Sequence, residues 1–295
     1  MKAVPRRTFT LALALVPGIG GKSVTRTLTR NDLLGRSPEE FCKLGLGALQ
    51  EEYKLSAKAA TAWHASPRKW IEEAEDLLAR LDPYGVTLVT AADAHYPRLV
   101  EALDPDPPGV LYLYGNTALL EARTFCVLLS RNAPGSALAE AEAMTEDGVL
   151  QARTLVSSHD TPEYQRTAVV PLRWGAPRIM VLDSGFFKAL GEDLKDEPFP
   201  AARLWRFQFD ARTDLAVSAV HPFRPFHPNA NRVRDRLVAG LSQEVALAWV
   251  SGGGNMEKLA KLAIRAGRPV YVSTASPAYE VVRAAGGRPV EPRAT

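Results

Sequence analysis

Arg232, Arg234 and Arg236 stand close together in the stretch Asn229–Ser242, NANRVRDRLVAGLS, and the run VALAWVSGGGN follows directly. Guanidinium groups are planar donor forks that match phosphate oxygens, and glycine-rich strand ends offer backbone N–H groups to the same anion. Three strand-end turns carry related chemistry. Ser130-Arg131 closes the apolar run Phe125–Leu129, Ser157-Ser158 follows Val156, and Ser251-Gly252-Gly253-Gly254-Asn255 opens a helix carrying Leu259, Leu262 and Ala263. At the carboxyl edge of an open parallel sheet such turns face ligand. A fourth anion-friendly turn is Val16–Lys22, VPGIGGK, in which Gly18 and Gly20 let the backbone approach a phosphate and Lys22 adds charge.

Bond-breaking chemistry finds less support. Ser158-His159-Asp160 contains the residue types of a hydrolase triad, but adjacent residues seldom converge on one nucleophile–base–orienter geometry. Asp160 and Asp183 are the carboxylates expected near the strand edge, too few for a two-metal site. Glu257 reads as an ordinary first-turn helix residue. Cys42 and Cys126 are far apart and lack metal-ligand spacing, which points to a reducing, cytoplasmic setting without zinc or disulfide. No cofactor is expected.

The elements that must hold these turns follow from pattern. Residues 8–30 read as two helices around the Pro17–Gly20 turn, and helices dominate to about residue 81, with a second helix–turn–helix theme in Phe41–Trp63. Past Asp82-Pro83 come short apolar runs without clean alternation, near 86, 110, 125, 178, 245 and 269, as expected of strands covered on both faces. The expected organisation is a helical domain, residues 1–81, of helix-hairpin-helix or SAM-like type, and an α/β Rossmann-like domain with a mostly parallel sheet, residues 82–295. Residues 186–228 read as an irregular insertion. The net charge of +3 leaves nucleic-acid attraction to local clustering. Phe9–Val16 is too short to span a bilayer, so neither a signal peptide nor a membrane helix is expected.

Taken with AHYPRLVEALDPDPPGVLYLYG, the VPGIGGKS turn and the RDRLVAGLS segment, the chain resembles the DprA/Smf family of bacterial DNA-processing proteins over most of its length. The resemblance aligns Ser130-Arg131 with the family's Gly-Ser-Arg, Arg234-Asp235-Arg236 with its Arg-Asn-Arg, and Ser157-Ser158 with its Ser-Gly turn. Departures stand at Leu129 for glycine, Pro162 for glycine, Tyr164 for Asp, Ala168 for His and Asp235 for Asn. The glycine run also invites comparison with lysine-decarboxylase-like phosphoribohydrolases, whose Thr and catalytic Glu have no match at Met256 and Leu259.

What the resemblance implies is a non-enzymatic, homodimeric protein that binds single-stranded DNA, protects incoming strands in natural transformation and loads RecA recombinase. The family's further C-terminal winged-helix-like domain is not expected here. On this reading Arg131, Arg232, Arg234 and Arg236 neutralise successive phosphates, with Ser130, Ser157, Ser158 and the amides of Ser251–Asn255 as hydrogen-bonding groups. Gly18, Gly20 and Lys22 form a secondary contact. Two alternatives stay open: a nucleotide sensor or phosphoribohydrolase-like enzyme on the same fold, and a degenerate protein-interaction module.

Overall fold

Serine caps and proline starts set the first helices. In the computed structural model, which describes residues 3–291, the chain begins with α1 (Arg6–Leu15), α2 (Gly21–Leu34), α3 (Pro38–Phe41), α4 (Leu46–Glu51), α5 (Ala57–Ala65) and α6 (Pro67–Leu81). Ser37 and Glu40 close a capping box on α3, Ser56 caps α5, and Pro67 begins α6 where its missing N–H costs nothing. Ile71, Ala74, Leu77 and Leu81 form the buried stripe of α6. The aromatic rings of Phe9, Phe41, Tyr53 and Trp63 meet edge to face at 4.8–5.9 Å between centroids, and all four side chains are buried. In the α4–α5 turn the left-handed position is taken by Lys54 (φ 55°) rather than by a glycine.

Chain contacts divide the molecule into two compact units, Met1–Tyr96 with Asp106–Tyr112, and Pro97–Pro105 with Leu113–Thr295. The 81/82 boundary read from the sequence is the end of α6. Strand β1 (Thr87–Thr90) and the segment 106–112 group with the helices, Ala91 donating to the Gly109 carbonyl at 3.1 Å.

The second unit holds α7 (Arg98–Leu103) and a sheet that takes up β2 (Val110–Gly115) from its fourth residue on. It continues with β3 (Thr124–Leu129), α8 (Gly135–Leu150), β4 (Thr154–Ser157), α9 (Pro162–Ala168), α10 (Val170–Arg173), β5 (Arg178–Leu182) and α11 (Phe186–Ala189). Then follow β6 (Leu215–Ser218), α12 (Ala230–Gly240), β7 (Glu244–Trp249), α13 (Asn255–Arg265), β8 (Val270–Ser273), α14 (Tyr279–Ala284) and β9 (Arg288–Val290). Every residue of β3, β4, β5 and β6 is buried, as double-sided cover requires. The pairs β3–β4, β3–β7, β4–β5, β5–β6, β7–β8 and β8–β9 are all parallel. The fold is α/β and Rossmann-like, as its sequence pattern implied.

Strand order in this unit is β2-β6-β5-β4-β3-β7-β8-β9. From β3 the chain steps outward through β4, β5 and β6, then returns to β7 on the other side of β3 and steps away through β8 and β9. The order therefore reverses between β3 and β7, and a crevice opens beyond the carboxyl ends of strands at such a point. This topology decides which turns can share a site.

Residues 186–228 depart from the irregular insertion expected. They contain β6, whose four residues LAVS are too few to register as a strand among the surrounding prolines and charges. The segment before β6 is tied down by ions: Arg178 at the start of β5, fully buried, donates to Glu197 at 2.5 Å and to Asp214 at 2.8 Å, and Arg206 closes on the same two carboxylates.

Candidate nucleic-acid interface

Beyond β3 and β7 lies a cleft of about 410 Å³. The turn after β3 contributes Ser130 and Arg131, the start of α13 contributes Asn255 and Met256, and the start of α12 contributes Asn231 and Arg232, with Pro228 just ahead and Asp235 one turn in. The two strand ends are joined directly. Ser130 N donates to the Trp249 carbonyl at 2.7 Å, and its hydroxyl accepts from Ser251 N at 2.9 Å. Leu129, where the family pattern has glycine, is buried in the core cluster beneath with Phe125, Val127 and Ala137, and the β3–β7 register slips at Leu128/Leu129. The bulky residue thus points into the core, and Arg131 stays exposed at the rim.

Arg131 and Arg232 are both exposed, and neither is ion-paired among the described residues. They are the cationic walls of the cleft. The other two arginines differ. Arg234 is 2 % exposed and forms ion pairs with Asp160 and, through Nε at 2.8 Å, with Asp235. It also donates to Ser158 Oγ at 2.8 Å and lies 4.5 Å over the Tyr164 ring. Burial pulls its pKa down, against the pull of Asp235. Every donor edge of that guanidinium faces protein, so Arg234 organises the floor of the cleft instead of meeting a phosphate. Arg236, half-buried, pairs with the buried Asp104 at 3.2 Å.

The serine turn after β4 also lies inside. Ser157 is buried with its hydroxyl 3.1 Å from Thr167 Oγ1, and the fully buried Ser158 donates to the Val181 carbonyl at 2.7 Å. Neither hydroxyl reaches the cleft, because the turn is drawn under α9 and onto β5. The Ser158-His159-Asp160 trio does not assemble: Asp160 binds Arg234, and His159 Nε2 faces Asp183 at 3.5 Å.

Ser251, Gly252 and Gly253 are exposed and Gly254 is the N-cap of α13. Their amides are partly occupied from within. Gly253 N donates to Glu257 Oε2 at 2.7 Å and Gly254 N to the Ser251 carbonyl at 3.4 Å. Lys261, at 2.6 Å, and the Gly253 amide hold the Glu257 carboxyl below its usual range. Glu257 thereby fills part of the anion concavity that the glycine run suggested.

Two departures from the family pattern meet at the cleft floor. The Tyr164 hydroxyl donates to Asp235 Oδ1 at 2.9 Å, and Asn255 Nδ2 donates to Asp235 Oδ2 at 2.8 Å. Burial, then the Asp235 charge, raises the Tyr164 pKa well above its ordinary value, which keeps the phenol a donor. Pro162 sits at the first turn of α9, where proline is favoured, and Ala168 is buried at the helix end. Asn231 and Pro228 were not singled out in the sequence, and Met256 was named there only as a mismatch to another motif; their only advance signal as lining residues was adjacency to the arginines and glycines.

The glycine turn of the first unit is occupied too. Gly18 takes φ +90°, the backbone freedom the turn needs. Gly21 N donates to the Pro107 carbonyl at 3.0 Å, and a Cβ on Gly20 would lie 2.7 Å from Asp106 Oδ1, so an acidic side chain rests against the start of α2. Lys22 is exposed.

Comparison with known proteins matches this architecture to solved structures. DNA processing protein A (DprA) from Streptococcus pneumoniae superposes with a TM-score of 0.68 at 16% identity, over 96% of this chain and 94% of that one. The fold is that of DprA. DprA from Helicobacter pylori, whose structure is described as revealing a single-stranded DNA binding mode, aligns at TM-score 0.51 and 15% identity over 70% of this chain and 90% of that one. No protein-family model matches the chain, and no curated protein matches it in sequence. Among the described residues no helix is long and apolar enough to cross a membrane, and no three His, Cys, Asp or Glu side chains group to hold a metal.

Proposed function

We propose that the cleft at the β3/β7 switch point binds single-stranded DNA without covalent chemistry, Arg131 and Arg232 taking backbone phosphates. The observation that carries this reading is the separation of four arginines into two roles, with Arg131 and Arg232 solvent-facing across a cleft and Arg234 and Arg236 neutralised by Asp160, Asp235 and Asp104. The DprA fold and the single-stranded DNA binding described for the H. pylori protein support it. The exposed Ser251–Gly253 turn and Ser130 supply further hydrogen-bonding groups beside the two guanidiniums. The Gly18, Gly20 and Lys22 turn, read as a helix-hairpin-helix element, is at most a secondary contact, since Asp106 lies against it.

The wider role we propose with it is protection of incoming strands in natural transformation, delivery to RecA, and action as a cytoplasmic homodimer. A homodimer would present two such clefts to one strand and raise avidity. The cleft volume of about 410 Å³ also suits one mononucleotide, which keeps a nucleotide-sensing reading in view. Titration with single strands of graded length, duplex of the same sequence and mononucleotides separates these readings. Length-dependent, salt-sensitive preference for single strands is expected, because counterion release drives phosphate contacts. Saturation by mononucleotides with no gain from length would replace it by the nucleotide reading.

A further inference from the structure

The cleft holds a carboxylate between its cations. Asp235 lines it, with its side chain 10% exposed, and three neighbours fix its orientation: Tyr164 on Oδ1, Arg234 Nε also at Oδ1, and Asn255 on Oδ2. A carboxylate offers about four acceptor positions; Tyr164 and the Arg234 guanidinium close the Oδ1 side, so the open position lies on the Oδ2 oxygen shared with the cleft-lining Asn255. A phosphate cannot use that position, since two anions repel. Nor can the deoxyribose inside a strand, which has no hydroxyl to donate. What remains in a DNA strand is the N–H edge of a base.

Resting on the reading that the cleft holds a single strand, we propose that Asp235 is a base-selecting residue: it accepts a hydrogen bond from an exocyclic amine of the nucleotide whose phosphates Arg131 and Arg232 hold. Cytosine, adenine and guanine each carry such an amine. Thymine and uracil carry a carbonyl at the corresponding pyrimidine position, and their one donor, the ring N3–H, lies between two carbonyls whose lone pairs would face the carboxylate. The cleft therefore disfavours thymine. Tyr164 and Arg234 hold Asp235 rigidly, so the acceptor is presented without an ordering cost when the base arrives.

The test compares deoxycytidine and deoxyuridine homopolymers of equal length, which avoids the thymine methyl group, in anisotropy titrations of the intact protein at neutral pH. A third strand carries N4,N4-dimethylcytosine, which keeps the ring and removes both amine hydrogens. Tighter binding of the cytidine strand by about tenfold or more is expected for one hydrogen bond to a charged acceptor, and dimethylation should reduce it to the uridine level. Equal affinity for cytidine and uridine strands, or tight binding of the dimethylated strand, overturns the inference and leaves the single-strand reading standing. Failure to bind any strand overturns both. Asp235→Asn keeps an acceptor for Tyr164 and turns a donor toward the cleft, so its preference should vanish or shift to uridine. An unchanged cytidine preference in that variant shows that another group reads the base. Because the dimethylated strand is tested on the unaltered protein, the outcome does not depend on the variant folding.

Discussion

Two glycine-bearing turns, one in each unit, carry the residue types of an anion site, the first read from the sequence as a secondary contact, and the structure treats them oppositely. In the first unit the Pro17–Gly20 turn is met by its own chain: the Pro107 carbonyl takes the Gly21 amide, and the Asp106 carboxylate lies against Gly20. In the second unit the switch point leaves a cleft with two exposed guanidiniums, although Glu257 reaches back onto the Gly253 amide. Glycine and free N–H groups are thus only a capacity for anion binding. Which capacity reaches solvent depends on which carboxylates the fold brings alongside.

The arginine segment repeats that lesson within one helix, and the largest expected effect tests it. Arg234→Ala would leave Asp160 and Asp235 without their cation in a buried setting, at a cost of about 3–5 kcal/mol. A thermal melt or denaturant titration should show this directly. A variant as stable as the parent would mean that Arg234 is not the organiser of the cleft floor and would return it to the set of candidate phosphate ligands.

The double variant Arg131→Ala/Arg232→Ala is the counterpart. Exposed cations usually change stability by less than about 0.5 kcal/mol. Binding should suffer instead, with affinity for single strands down about tenfold or more and the salt slope reduced by about one to two units, because two phosphates would no longer meet a guanidinium. If the salt slope is unchanged, the strand runs elsewhere on the protein.

Much of this architecture was legible in the chain. Unbroken apolar runs such as FCVLL and RIMVL announced a doubly covered parallel sheet, and the turns after β3 and β7 were recognisable from Ser130-Arg131 and SGGGN. Strand β6 was not legible, because LAVS is short and its burial depends on neighbours distant in sequence. Nor could the chain say which arginines were spoken for. Asp104 and Asp160 lie 132 and 74 residues from the arginines they bind. Local charge spacing has no access to pairing at that range. The pairing of Tyr164 with Asp235 was hidden in the same way: each looked like an isolated loss against the family pattern, and only the fold shows donor meeting acceptor.

Glu257 offers a smaller effect on the same theme of self-occupied amides. Its carboxyl is held below its ordinary 4.5 by Lys261 and by the Gly253 amide. A group whose folded pKa is depressed contributes stability above its unfolded value and loses that contribution as pH falls through the lower folded value. Glu257→Gln should therefore reduce stability by about 0.5–1 kcal/mol at neutral pH, as expected for a helix-start carboxylate with an exposed lysine partner. The difference from the parent should shrink as pH drops below about 4.5. Melts at neutral and acid pH check this, and a difference that does not depend on pH would assign the effect to lost packing instead.

The smallest effect is expected at Lys22, where the comparison between the two turns is sharpest. Its ammonium is exposed beside the start of α2, the arrangement that first suggested a phosphate contact. A strand approaching there would meet the Asp106 carboxylate at Gly20, and the Gly21 amide is already donating to Pro107. Attraction to Lys22 and repulsion from Asp106 would largely cancel at contact distances within the screening length of about 8 Å. Lys22→Ala should accordingly change single-strand affinity by no more than about twofold, or about 0.4 kcal/mol. Anisotropy titration at two salt concentrations measures it beside the Arg131/Arg232 double variant. A loss at Lys22 as large as in that double variant would move the principal contact to the first unit, and the strand-end cleft would then need another ligand.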